Sequence, residues 1–343
     1  MKILIVDYYG DHYHDQFNTI HIKALERLNA DITLMGADSH FQDAANKKVL
    51  TIPSKLYKTF SSRFLLSLRS RFWDILKLIY LSFAIQKERY DFIVFLRYEI
   101  FCIPFFRTSQ NVILFDHSSA STMHSIAKRC ALNLIGDNYV HAALNDEIYK
   151  HIKTILPNKK VVMIPHGMLS PFHERKYCNL VSANKSFVFC SATSSCDEEL
   201  LHHIIFSDKV KNYLKARDLQ LLVKCKSCFE SNETITRIEG FINQEDYEYL
   251  IANAVAVFLP YNHDFGYRVS GVFFECVANE TPVIASSIPS FLAYAENGQP
   301  LFTINDDAGF IEALSHLSQH LCKWDCSKFS PDIYWERIIK NNK

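Results

Sequence analysis

Phe258-Leu-Pro-Tyr261, Asp264-Phe-Gly-Tyr-Arg268-Val-Ser270-Gly271-Val-Phe-Phe-Glu275 and Asn279-Glu-Thr-Pro282-Val-Ile-Ala285 form one nearly continuous stretch, and its order decides the fold class. It reads as a strand ending in a polar loop, a Ser-Gly helix start, an acidic residue one turn in, and a second buried strand. Strand, helix and strand in that order make the unit of a parallel α/β sheet. A helix that begins at a Ser-Gly step presents free backbone N–H groups and the positive end of its dipole, which suits a diphosphate. Glu275 lies where a carboxylate can accept both hydroxyls of a ribose, and Arg268 can meet phosphate bidentately. Taken in isolation, the same residues also read as an ordinary N-cap, a dipole partner and a solvated arginine.

Outward from this stretch the same rhythm runs along the whole chain. Short β-branched runs at 3–6, 31–34, 92–96, 112–115, 140–144 and 161–164 alternate with helical patterns in the first half. A linker at 169–186, with Pro171, a basic cluster and Asn179, breaks the pattern. The second half resumes with strands at 187–190, 220–224, 234–238, 254–259, 282–285 and 300–302, and with helices at 197–206, 243–252 and 271–279. An amphipathic segment at 331–339, with Trp335, follows. Two α/β domains are expected: 1–168, 169–328, and a terminal helical segment 329–343 that returns toward the first. In open parallel sheets, ligands bind at the carboxyl ends of the strands.

The composition excludes several classes. At 343 residues the chain exceeds the size at which one core stops growing. Lys plus Arg and Asp plus Glu balance at 37 each, so no positive field favours nucleic acid. The apolar run after Lys2 ends at Asp7, too short for a signal peptide, so a cytoplasmic chain is expected. With only nine glycines there is neither a Gly-x-Gly-x-x-Gly turn nor a Gly-Lys-Ser/Thr loop, which argues against a dinucleotide cofactor and a P-loop. Ten cysteines at irregular spacings read as free thiols. Cys225 and Cys228 have the gap of a zinc knuckle, but Cys322 and Cys326 lack the matching one, so no metal is expected.

The decisive stretch resembles the C-terminal signature of family 4-type, retaining glycosyltransferases of bacteria. Glu275-Cys-Val-Ala-Asn-Glu-Thr-Pro-Val-Ile-Ala285 is similar to that family's Glu followed by an Ala-Cys-Gly-x-Pro-Val-Ile-Ala-like strand entry. Glu239-Gly-Phe-Ile-Asn-Gln-Glu-Asp-Tyr247-Glu-Tyr-Leu-Ile-Ala-Asn-Ala254 resembles its nucleobase loop and helix, and Ile164-Pro-His-Gly-Met168 its interdomain element. The resemblance implies a GT-B architecture, two Rossmann-like domains with parallel sheets facing a central cleft. It implies that Glu275 holds the ribose, that the Ser270 and Gly271 amides hold the diphosphate, and that the backbone at Phe241 and Ile242 holds the base. Two positions depart from the pattern. Tyr267 stands eight residues before Glu275, where the family has its first acidic residue, which leaves Asp264 as the substitute. The family's Gly-Arg and Lys phosphate grip has no counterpart in Cys190-Ser-Ala-Thr-Ser-Ser-Cys-Asp197, which leaves Arg268 with Lys224 or Lys226.

In the first half, Tyr8-Tyr-Gly-Asp-His12-Tyr-His14-Asp15 follows the first strand, where His14 and Asp15 can form a base and its orienting carboxylate, or simply a polar loop. His117, in Phe115-Asp-His117-Ser-Ser119, occupies the place where the resemblance puts a sugar-contacting histidine. Arg97 and Glu99 lie at the equivalent edge after 92–96, lining an acceptor pocket or pairing with each other. His166 is either a satisfied structural histidine or a contact to phosphate.

Residues 62–88 read as one long helix on which Arg63, Ser67, Ser70, Arg71, Asp74 and Lys77 share a polar face. Either it packs on the sheet, or Lys55, Lys58, Arg63, Arg69 and Arg71, interleaved with aromatic residues, meet anionic lipid on the cytoplasmic face of the membrane. The expected activity is transfer of a hexose-type unit from a nucleoside diphosphate sugar to a saccharide acceptor, lipid-linked in surface polysaccharide or glycoconjugate assembly. The resemblance implies retention without cofactor or metal, whereas a true base at His14 or Asp15 gives inversion. A nucleotide-sugar epimerase and a noncatalytic sugar-nucleotide-binding subunit are the alternatives.

Overall fold

The structure, a computed structural model, describes residues 1–9, 15–37, 47–57, 66–117, 119–173, 178–181, 185–192, 195–295, 299–319 and 323–340. The chain forms two compact units, Met1–Gly167 with Phe329–Lys343, and Met168–Lys328.

The first unit runs β1 (Lys2–Val6), α1 (Asp15–Arg27), β2 (Asp31–Gly36), β3 (Lys48–Thr51), α2 (Leu66–Ala84), β4 (Phe92–Phe95), β5 (Val112–Phe115), α3 (Ile126–Asn133), β6 (Tyr139–Ala143), α4 (Asp146–Ile155) and β7 (Lys160–Met163). Its seven strands are all parallel, in the order β3-β2-β1-β4-β5-β6-β7. Continuous apolar runs such as Ile3–Val6 and Phe92–Phe95 are buried at every residue because helices cover both faces of such a sheet. The edge strand β3, Lys-Val-Leu-Thr, is largely exposed and falls outside the strands expected from apolar runs.

The second unit runs β8 (Ser186–Ser191), α5 (Glu198–Phe206), α6 (Asp208–Ala216), β9 (Leu219–Lys224), β10 (Ile235–Arg237), α7 (Gln244–Asn253), β11 (Ala256–Leu259), α8 (Gly271–Ala278), β12 (Val283–Ser286), α9 (Pro289–Ala295), β13 (Leu301–Ile304) and α10 (Asp307–Gln319). Its sheet is again parallel, in the order β10-β9-β8-β11-β12-β13. Side-chain caps start its helices: Asp197 accepts from the Leu200 amide at 3.0 Å, and Asn243 accepts from Asp246 at 2.8 Å.

The last helix, α11 (Asp332–Lys340), belongs to the first unit. Trp335 is fully buried and its Nε1 donates to His21 Nδ1 at 3.1 Å, while Arg27 forks onto Asp332 at 2.7 Å. Gly167 has φ +92°, and a Cβ there would sit 2.3 Å from Ile20 Cγ2, so both conformation and space demand glycine.

The long helix over 62–88 is corrected in its polarity. Its described part is α2, followed by a 3-10 turn at Ile85–Lys87; Lys58 and Arg63 lie outside the described residues. Asp74 and Lys77, two of the residues expected to share a polar face, are buried at 8% and 6% exposure, so that face turns inward here. They pair at 2.7 Å, and Lys77 Nζ also donates to the Tyr8 carbonyl at 3.0 Å, so both charges are satisfied inside. The outward face is correspondingly apolar, with Leu68, Phe72 and Phe83 each more than half exposed.

Candidate active site

Each sheet has one place where its strand order reverses, between β8 and β11 in the second unit and between β1 and β4 in the first. Loops leaving the carboxyl ends of those strands diverge there and leave a crevice.

In the second unit the two loops are stitched together. Cys196 bridges Tyr261, the Asp197 amide donates to the Pro260 carbonyl at 2.7 Å, and the Asn262 amide to the Ser195 carbonyl at 2.9 Å. Tyr261 is buried, with its hydroxyl 3.1 Å from Ser270 Oγ, and Ser270 in turn accepts from the Phe273 amide at 3.2 Å. The start of α8 is thus fixed by a buried cap. Gly271, the first residue of the helix, is exposed, and a Cβ there would meet nothing within 4 Å. One turn in, Glu275 Oε2 accepts from the Tyr247 hydroxyl of α7 at 2.5 Å. Burial pushes the Glu275 carboxyl up, and the Tyr247 hydrogen bond works against that. The Tyr247 phenol is pushed above its ordinary range by burial and by the neighbouring Glu275 charge, and its ring stands edge-on to Phe189 at 6.3 Å.

Arg268 precedes the cap and is half-buried, with its Nε enclosed and lacking an acceptor among the described residues. Its guanidinium lies 6.0 Å from the Phe265 ring. Lys224, at the end of β9, donates to the Gly240 carbonyl and anchors the loop that carries Phe241 and Ile242. Phe241 is 94% exposed, and Gly240 has φ +68°. Ser270, Gly271 and Glu275 therefore share one helix, with Arg268 beside it. Lys226 is exposed on the turn after β9, and Asp264 is exposed on a 3-10 turn at His263–Phe265.

The unanticipated member is Tyr247, whose contact with Glu275 spans 28 residues of sequence. A cavity of about 210 Å³ at the carboxyl ends of β12 and β13, lined by Asp197, His203, His263, Ser287 and Asn305 among others, was equally invisible because four separate segments build it.

In the first unit the described residues at the corresponding edge bond largely to one another. Tyr8 is fully buried, its hydroxyl accepting from the Glu99 amide at 2.9 Å and lying 3.3 Å from that of Tyr9. The Arg97 guanidinium stacks over the Tyr9 ring at 4.2 Å. Glu99 pairs with Arg71 at 3.3 Å and accepts from the Phe101 amide at 2.7 Å. Burial raises the Asp74 carboxyl, with Lys77 opposing. His117 is half-buried with its ring 4.1 Å from Phe17, and His166, buried, lies 6.1 Å from it. Its neighbour Asp116 points inward instead, accepting from Tyr98, from Ser119 Oγ at 2.7 Å and from His141 Nδ1 at 3.0 Å. Asp15 is the first residue of α1; its side chain and His14 lie outside the described residues. Cys322 also lies outside them, and the nine described cysteines are free.

Two parallel sheets of seven and six strands with helices between the strands give the α/β fold of GT-B glycosyltransferases. Over the full chain the structure is similar to that of Anabaena Alr3699/HepE in complex with UDP and glucose, at 15% identity and a TM-score of 0.56, covering 100% of this chain and 95% of that one. Sucrose-phosphate synthase from Thermosynechococcus elongatus matches at 13% identity and a TM-score of 0.60, covering 99% and 96%. UDP-GlcNAc 2-epimerase from Methanocaldococcus jannaschii matches at 13% identity and 0.56, covering 99% of each chain. No family model and no curated protein matches the sequence.

Proposed function

We propose that the chain is a glycosyltransferase that moves a hexose-type unit from a nucleoside diphosphate sugar to a saccharide acceptor. The observation that carries this is the α8 constellation: a Ser270-capped helix start at the exposed Gly271, an Arg268 Nε without an acceptor among the described residues, and Glu275 held by Tyr247. In this reading the Gly271 amide and Arg268 meet the diphosphate, and Glu275 accepts the ribose hydroxyls. The base lies on the loop at Phe241 and Ile242, and Lys224 or Lys226 adds positive charge. Arg268 and the helix start neutralise the leaving group without calling for a metal or cofactor. The acceptor is lipid-linked, as in surface polysaccharide or glycoconjugate assembly at the cytoplasmic face of a membrane. Configuration is retained, with His117 contacting a sugar and Asp264 standing in for the resembled family's first acidic residue; a true base at His14 or Asp15 would give inversion instead.

UDP and glucose in the HepE structure make uracil the first base to test. A thermal-shift screen of UDP- and GDP-sugars decides the donor, since a ligand at about 100 times its Kd stabilises by about 2.7 kcal/mol. A folded protein that shifts with no nucleotide sinks the proposal. The likeness to a UDP-GlcNAc 2-epimerase supports a second reading, rearrangement of the donor. Incubation with donor alone separates the two, because an epimerase then yields product and a transferase needs acceptor. Donor binding without turnover across an acceptor panel would instead mark a noncatalytic subunit.

A further inference from the structure

The helix α2 is amphipathic in the reverse sense. At 100° per residue, Lys77, Leu81, Asp74, Leu78 and Ser82 occupy one arc and all are buried. The opposite arc carries Leu68 at 58% exposure, Phe72 at 56%, Ile79 at 36% and Phe83 at 65%. Beside it sits the 3-10 turn at Ile103–Phe105, whose Phe105 is 46% exposed. That turn is pinned to the helix, for the Arg107 amide donates to Ser82 Oγ at 2.8 Å and Cys102 Sγ lies 3.7 Å from the Arg71 carbonyl. Five large apolar side chains on a rigid frame are thus turned outward, where a folded chain ordinarily places charge.

The charge around them is predominantly basic. Arg69 on α2, Arg107 after the Phe105 turn, and Lys87 and Arg89 just past the helix end are all exposed. Glu88 among them is already engaged by Lys2 at 2.9 Å and by Lys48. With whole-chain charge at zero, this is a local accumulation rather than a general basic character. An outward apolar stripe flanked by cations suits a helix lying in the plane of an anionic lipid surface. The buried Asp74–Lys77 pair precludes a spanning role, and no described helix is long and apolar enough to cross a membrane.

We propose that the outward face of α2, with Phe105, docks on a bilayer containing anionic lipid. This deepens the reading of a lipid-linked acceptor and rests on it for its biological sense, while its geometry is independent of the donor site. The test is co-sedimentation of the full chain with phosphatidylcholine vesicles, alone and with about 30 mol% phosphatidylglycerol. Wild type should bind the anionic vesicles and release them as salt rises. The double variant Phe72→Glu/Phe83→Glu, at positions already more than half exposed, should lower the bound fraction about tenfold. Arg69→Ala/Arg107→Ala should erase the preference for anionic over neutral vesicles. Failure of wild type to bind, or equal binding by the phenylalanine variant, overturns the proposal. So does a dimer in sedimentation velocity that the same variant dissociates, without vesicle binding, since a second copy would then own the face. A nucleotide thermal shift recorded on each variant keeps the two readings apart: lipid binding without any nucleotide shift sinks the donor reading alone.

Discussion

The two sheets offer the same kind of crevice and furnish it in opposite ways. At the β8–β11 edge the polar groups are left partly unspent among the described residues: Gly271 is exposed at the helix start, Arg268 Nε lacks an acceptor, and Glu275 keeps one oxygen beyond the Tyr247 hydrogen bond. At the β1–β4 edge the charges are consumed internally, Lys77 by Asp74 and the Tyr8 carbonyl, and Glu99 by Arg71 and its own turn. Topology therefore supplies the crevice, but the side chains decide whether it is a support or a binding surface. The second edge leaves an arginine nitrogen and a carboxylate oxygen unspent, whereas the first pairs its described charges among themselves, with His117 and Arg97 at its margin.

The comparison is broken most severely at Lys77. Replacing Lys77 by Met leaves Asp74 buried without its partner, which should cost about 3–5 kcal/mol in chemical denaturation. Adding Asp74→Asn should recover much of that loss, because the uncompensated charge is gone. Neither change should move nucleotide affinity in the folded protein. A small loss for Lys77→Met alone would mean that the first crevice is not locked as described.

At the second edge the expected loss is in binding rather than in stability. Glu275→Gln should weaken nucleotide affinity about tenfold or more, equivalent to about 1.4 kcal/mol, measured by titration calorimetry. Its effect on stability has a pH sign of its own. Burial holds the folded Glu275 carboxyl above its ordinary range, so the raised group favours the fold only while protonated. Wild type should therefore lose stability relative to Glu275→Gln as pH rises from the ordinary glutamate range through the raised value, and match it below. Tyr247→Phe removes the bond that opposes the rise, so the acid limb of nucleotide binding should move to higher pH. A variant whose limb does not move would assign Tyr247 a packing role only.

Much of this fold was legible because parallel strands buried on both faces are continuous apolar runs. The edge strand β3 was not, since Lys48–Thr51 buries little and carries no such run. That Arg268, Ser270, Gly271 and Glu275 come together at one helix start was legible because they fall within eight positions of one strand–helix unit. Tyr247 was not, because its role depends on how α7 meets α8. The polarity of α2 was misread for a related reason: spacing shows that Asp74 and Lys77 share a face, but not whether that face meets water or meets Tyr8. Asp116 and His117 make the same point in adjacent residues, one turned into a buried network with His141 and the other onto Phe17.

The smallest effect concerns α8 itself. Behind Glu275, α8 ends in a Schellman arrangement, with the Thr281 amide donating to the Cys276 carbonyl at 2.9 Å and the Glu280 amide to that of Val277 at 3.2 Å. Glu280 supplies the left-handed residue, with φ +57°, at the place where the resembled Ala-Cys-Gly-x-Pro pattern has glycine. A side chain there is held in a conformation about 1 kcal/mol or more above its preferred one, a cost that glycine avoids and only partly repays in unfolded-state entropy. Glu280→Gly should therefore raise stability by about 0.5–1 kcal/mol in thermal denaturation, with nucleotide affinity unchanged because Gly271 and Glu275 keep their positions. A loss of stability would show that the exposed Glu280 carboxylate makes a compensating interaction, and a change in affinity would show that the C-terminal cap of α8 is coupled to its open start.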